Sequence, residues 1–158
     1  MKLTTDQIKL LKELMTNSAN KGNLANAGIV LENGKLLDSA ESWVVTNKDA
    51  TAHSERMLVE KVGKLKGTNY TPGLSMVTVV EPCLMCMSAC SQAGYKDVVY
   101  IIPARKYVNK IPWMTDVNDN VDKEKIAENF CEPIKLMHLS EYEEEFSEVF
   151  VKVMKQGK

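Results

Sequence analysis

Two short strings in this 158-residue chain carry side chains suited to activating water: His53-Ser54-Glu55 and Pro82-Cys83-Leu84-Met85-Cys86. Zinc takes imidazole nitrogen and thiolate sulfur readily and is usually four-coordinate, so His53, Cys83 and Cys86 would leave one position for water. A cation there lowers the pKa of its water from about 15.7 to roughly 7. Glu55, two residues beyond His53, is placed to enter the same cavity without being a ligand. A carboxylate there can move protons between water and a substrate. The expected cofactor is one Zn²⁺ per chain.

The pair of strings resembles the zinc-dependent cytidine and deoxycytidylate deaminase superfamily, whose signature is H-x-E followed by P-C-x-x-C. The longer stretches Asp49-Ala50-Thr51-Ala52-His53-Ser54-Glu55 and Glu81-Pro82-Cys83-Leu84-Met85-Cys86 are most similar to the guanine deaminase and tRNA adenosine deaminase branches. The resemblance covers roughly residues 24 to 102. It implies a three-layer α/β/α cytidine-deaminase-like fold built on a mixed five-stranded sheet. It also implies hydrolytic deamination, with Glu55 carrying protons to a ring nitrogen and then to the leaving amine. The Ser54 amide and the Pro82 carbonyl would contact substrate. The family usually has Ala where Ser54 stands, a change its amide should not feel.

Substrate choice departs from the pattern. Purine deaminases of this type place an Asn at the end of the second strand, whereas the stretch here is Ser42-Trp43-Val44-Val45, with no Asn until Asn47. Ser42 or Trp43 takes the equivalent position, depending on a one-residue gap. An acidic residue supplied by the C-terminal third would be Asp116 or Asp119, and Trp113 could stack on an aromatic ring. Guanine is the leading substrate on motif flavour. The rivals are a tRNA adenosine deaminase and a catalytically silent scaffold of the same fold. Relatives commonly form homodimers, and the apolar side of the last helix, around Tyr142, Phe146 and Phe150, is a candidate contact.

Elements that could position these residues follow from periodicity. Ile8, Leu11, Leu14 and Met15 fall on one side of a helix from Thr5 to about Asn17, capped by Thr4 or Thr5. Residues 27–31 form a buried strand, Glu32-Asn33-Gly34-Lys35 is a hairpin turn, and a second strand occupies part of 35–45. Helices are expected over residues 52–64 and 83–93, and strands over 74–80 and 98–102. The tail gives a helix at 122–130, a fifth strand at 134–138 and a capping box, Ser140-Glu141-Tyr142-Glu143, opening a last helix. About thirty residues separate strands four and five, and a crossover of a dozen or more suits a parallel pair.

Composition fits a single soluble domain over residues 1–158: 44% hydrophobic, 26% charged. No apolar run reaches the roughly 20 residues of a membrane helix, and the start turns polar too soon for a signal peptide. Four cysteines, two of them in C-x-x-C, suit reduced ligands in the cytoplasm better than a disulfide framework. A net charge of −1 with only two arginines, Arg56 and Arg105, argues against nucleic acid and for a small, weakly charged substrate.

A closed structural zinc site would need a fourth protein ligand, from Cys90, Cys131 or His138. It would give Glu55 no role. Cys90, four residues beyond Cys86, reads as a core thiol, and Cys131 and His138 as structural.

Overall fold

The computed structural model describes residues 1–108, 110–111, 114 and 116–156. In chain order its elements are α1 (Thr5–Asn20), β1 (Ala27–Glu32), β2 (Lys35–Glu41), α2 (Val44–Asn47), α3 (Ser54–Lys66) and β3 (Ser75–Val80). These are followed by α4 (Leu84–Gln92), β4 (Asp97–Ile102), α5 (Lys123–Glu128), β5 (Lys135–His138) and α6 (Glu143–Gln156), with 3₁₀ turns at Ala104–Tyr107 and Ser140–Tyr142.

The sheet order is β2-β1-β3-β4-β5. β1 pairs antiparallel with β2 and β3, while β3–β4 and β4–β5 are parallel. The parallel pair at the end is the one the long connection before residue 134 demanded. β3 is buried along its whole length, as a central strand covered on both faces must be, which explains why Met76, Val77, Val79 and Val80 dominate it. The hairpin turns at Asn33 (φ 51°) and Gly34 (φ 79°), the paired left-handed conformation a two-residue turn between twisted strands requires.

One face of the sheet packs against α1 and α6 through Leu11, Met15, Phe146 and Phe150. The other packs against α3 and α4 through Leu58, Val62, Met87 and Cys90. The layers are therefore α/β/α, as expected.

Several boundaries differ from those read in the sequence. α1 continues to Asn20, because Ser18 bonds the Leu24 and Ser42 carbonyls and ties its last turn to the loop ahead. Its N-terminus is a capping box between Thr4 and Gln7. β2 ends at Glu41, and the residues after it turn into α2 rather than extending the strand. Ser140 does not cap α6: the chain makes a 3₁₀ turn first, which brings Tyr142 inward to bond the Leu3 amide at 2.9 Å. The apolar side of α6 is also not free for a partner. Phe146 and Phe150 are fully buried against α1 and the sheet, so this side packs within the chain.

Candidate active site

The three candidate ligands converge at two helix starts. His53 is the N-cap of α3 and Cys83 the N-cap of α4, each on extended backbone and neither using its side chain to cap. Cys86 follows three residues on, at the same end of α4, so its thiol returns to the side of the helix that Cys83 faces. Cys83 Sγ lies 3.5 Å and Cys86 Sγ 3.6 Å from His53 Nδ1. All three ligand atoms lie within 4.8 Å of one another. A tetrahedral zinc with bonds of about 2.3 Å to sulfur and 2.0–2.1 Å to nitrogen separates its sulfur and nitrogen ligands by about 3.6 Å. The donor set and its spacing fit that ion.

The groups of this cluster shift in opposite directions. The neighbouring Cys86 thiol, against the opposing effect of burial and with help from His53, pulls the Cys83 thiol down to about 4. Cys86, sharing that hydrogen bond and buried, is pushed up. The bond to Cys83 raises His53, burial opposes it, and the charges of Cys83 and Glu55 add to the rise.

Glu55 is 2% exposed, in the first turn of α3. Burial raises its pKa, with the Ser54 hydroxyl acting in the opposite sense. Its Oε1 accepts from Asn26 Nδ2 at 3.1 Å and from Ser54 Oγ. Asn26 was not singled out by the sequence reading. It precedes β1 and its Oδ1 accepts from the Ala27 and Val80 amides at 2.9 and 3.0 Å. Apart from the adjacent Ala27 amide, its partners Glu55 and Val80 lie 29 and 54 residues away, so little local marks it.

Beside His53 opens a cavity of about 570 Å³, lined by Leu24, Asn26, Ser42, Val44, Val45, Lys48, Asp49, Ala50 and His53. That volume suits a small ligand, and the mostly apolar walls with a few polar groups are what such sites have. Ser42 is on the wall and buried; Trp43 is not on it, and its ring lies under the Lys21 ammonium at 4.9 Å. Asn47 is exposed. Trp113 lies outside the described residues.

Pro82 and Asp116 are linked at the α4 start through Lys123. Asp116 Oδ2 accepts from the Leu84 amide at 2.8 Å, and its Oδ1 lies 2.7 Å from Lys123 Nζ. Lys123, buried, also donates to the Pro82 carbonyl at 3.0 Å and lies 3.3 Å from Glu81. Asp116 and Asp119 line a separate cavity of about 300 Å³, not the one at His53. Burial alone would raise Asp116, but Lys123 and the Leu84 amide together hold it below the ordinary range.

The candidates for a closing fourth ligand lie elsewhere. Among the described residues the metal-ligand group is His53, Cys83 and Cys86 alone. Cys90 is buried in the core between α4 and the sheet, Cys131 is exposed, and His138 stacks on Tyr100 with a bond to the Ile101 carbonyl.

Comparison with known proteins points the same way as this geometry. A tRNA-specific adenosine deaminase from Aquifex aeolicus is 26% identical over 87 residues, 55% of this chain and 58% of that protein. The guanine deaminase of Bacillus subtilis is 31% identical over 72 residues, 46% of each. The matches thus span about half the length of these curated relatives. In fold, the chain is similar to a guanine deaminase from Nitrosomonas europaea (TM-score 0.79, 16% identity, covering 98% of this chain and 87% of that one). It is also similar to a structure from work on tRNA:A34 deaminases (TM-score 0.74, 17% identity, covering 92% and 99%). These likenesses confirm the cytidine-deaminase-like architecture. Residues 1–102, which contain both strings, match the model of the cytidine and deoxycytidylate deaminase zinc-binding region, and the chain belongs to that family.

Proposed function

We propose that this chain is a zinc-dependent hydrolytic deaminase of a small amino-substituted heterocycle, with guanine the first substrate to test. The observation that carries the reading is a buried carboxylate, Glu55, in the first turn of the helix whose N-cap is the candidate ligand His53. A structural metal site has no use for a desolvated acid beside it, because burying that group costs stability.

His53, Cys83 and Cys86 would hold the zinc, which would supply a water acidified enough to act near neutral pH. Glu55, its pKa raised by burial, takes a proton from the attacking water as that oxygen bonds to the amine-bearing ring carbon, and passes it to the adjacent ring nitrogen. The proton left on the added oxygen then passes through Glu55 to the amine, the C–N bond breaks and ammonia leaves, so water and the amino-heterocycle become ammonia and the oxo-heterocycle. The apolar walls Leu24, Val44 and Val45 support a flat ring, and Ser42 offers a hydroxyl to its polar edge. That hydroxyl makes fewer directional bonds than a carboxamide, so discrimination between rings should be weaker than at an Asn site. Asp116, held by Lys123 and the Leu84 amide at the start of α4, lines a cavity other than the one at His53.

Ammonia release across guanine, cytosine, adenine, their nucleosides, deoxycytidylate and aminated pteridines or triazines tests this directly. Turnover of at least one member is expected, and silence on all of them would overturn it. A tRNA adenosine deaminase is the second reading, favoured by the Aquifex relative. It predicts turnover that falls steeply with added salt, whereas a small neutral substrate should be nearly insensitive.

The same reading includes a single cytoplasmic domain and a homodimer. The four cysteines are all free thiols, as a reducing compartment would keep them. Among the described residues no helix is long and apolar enough to cross a membrane. Since α6 packs inward, a second copy would have to use another surface. Sedimentation at micromolar concentration should show twice the 17.7 kDa chain mass.

A further inference from the structure

We propose that Asn26 and Ser54 clamp one oxygen of Glu55, Oε1, from two sides and so fix the orientation of the carboxylate. Resting on the deaminase reading for its chemical meaning, the proposal names two positioning residues for the catalytic carboxylate.

The directions of these hydrogen bonds are fixed by elementary bookkeeping of donors. The Ala27 and Val80 backbone N–H groups can only donate, and both end on the same atom of the Asn26 side chain. That atom must be the carbonyl oxygen, so the amide cannot be turned over and Nδ2 must face Glu55. An amide nitrogen can only donate, which makes Glu55 Oε1 an acceptor in every protonation state. The Ser54 hydroxyl ends on the same Oε1. Among the described residues no side-chain donor reaches Oε2.

The clamp also links the sheet to the chemistry. Asn26 spans the start of β1 and the end of β3 by accepting from the Ala27 and Val80 amides, and both strands are interior in the sheet. Glu55 is held by that frame as well as by its own helix. A carboxylate that must meet water on one oxygen gains by losing the freedom to rotate.

Asn26→Asp separates this from a purely structural role, because it keeps the oxygen that serves Ala27 and Val80 and replaces only the donor. Two carboxylates would then face each other. Glu55→Gln in that background can restore the bond with its polarity reversed. The measurements are zinc content, urea unfolding of the zinc-loaded protein, the ¹⁵N–¹H spectrum of the side-chain amides, and kcat and KM on whichever panel member the wild type deaminates.

With Glu55 present, Asn26→Asp should lower the folding constant about tenfold or more, and Glu55→Gln should recover most of it. The resonance missing in Asn26→Asp should shift in Glu55→Ala. Turnover of Asn26→Asp should fall about a hundredfold in kcat with KM little changed and zinc retained. Ser54→Ala should lower kcat in the same direction by less. Equal destabilisation by Asn26→Asp in both backgrounds, or an unmoved Asn26 resonance in Glu55→Ala, would overturn the clamp. A wild type silent on every substrate would overturn the deaminase reading instead, and the coupling would still decide the clamp.

Discussion

Lys123 Nζ lies 2.7 Å from Asp116 Oδ1 and 3.0 Å from the carbonyl oxygen of Pro82. One buried ammonium from α5 thus fastens the turn that delivers Cys83 and Cys86, while the Asp116 carboxylate it pairs with caps α4 through the Leu84 amide. Lys123→Met would leave Asp116 without its partner at the edge of a buried network. Such a loss costs about 3 kcal/mol where the remaining charge stays buried. Because Asp116 is partly exposed, water will recover part of it. Urea unfolding should show a loss of that order or smaller, and chelator-driven zinc release should be faster than in the wild type. Unchanged release would mean that the turn holds its shape without Lys123.

Asp116 also sets a pH limit. Its folded-state pKa lies below the ordinary value of 3.8, so its contribution is present above 3.8 and is lost as pH falls through the lowered value. Acid unfolding should therefore begin at a higher pH in Asp116→Asn, which has already lost this contribution's favourable pairing. A coincident acid transition in the two proteins would contradict that.

Glu55→Gln should abolish turnover, by a factor of about 10² to 10⁴ for loss of a proton carrier, without loss of zinc. In the metal-free protein the exchange should also be stabilising at neutral pH. Burial raises the Glu55 pKa, so its unburdened state is fully present below the ordinary 4.5 and is lost as pH rises through the raised value. Glutamine carries no such loss. A rise in Tm of about 2–4 °C at neutral pH, vanishing in acid, is the expected pattern.

Metal loading should release protons. His53 is raised above its ordinary 6.5 by its bond to Cys83, and Cys86 retains a proton that the ion must displace. Zinc added to the metal-free protein in weak buffer should release protons near neutral pH, and apparent affinity should fall as pH drops through this range. Release of none would show that the three groups are not the ligands.

Much of this was legible in the sequence, for identifiable reasons. The ligands and Glu55 are close in sequence within each string, and helix geometry brings residues three apart to one side, so Cys83 and Cys86 could be paired on paper. β3 announced itself by an apolar run, and the parallel β4–β5 pair by the length of chain between them. Asn26 was invisible because its meaning lies in contacts to Glu55 and Val80, far along the chain. Ser54 looked like a harmless enlargement of Ala until its hydroxyl was seen on Oε1. The α6 stripe of Phe146 and Phe150 had the right period for either a partner or the core, and only packing against α1 decided between them.

The number of sulfur atoms around the bound metal tests the centre of this account most directly. X-ray absorption at the zinc edge of the loaded protein should show two sulfurs at about 2.3 Å and two lighter atoms at about 2.0–2.1 Å, one of them imidazole nitrogen. A third sulfur, or a metal absent from protein that still releases ammonia, would contradict a site built on His53, Cys83 and Cys86 with one corner left for water.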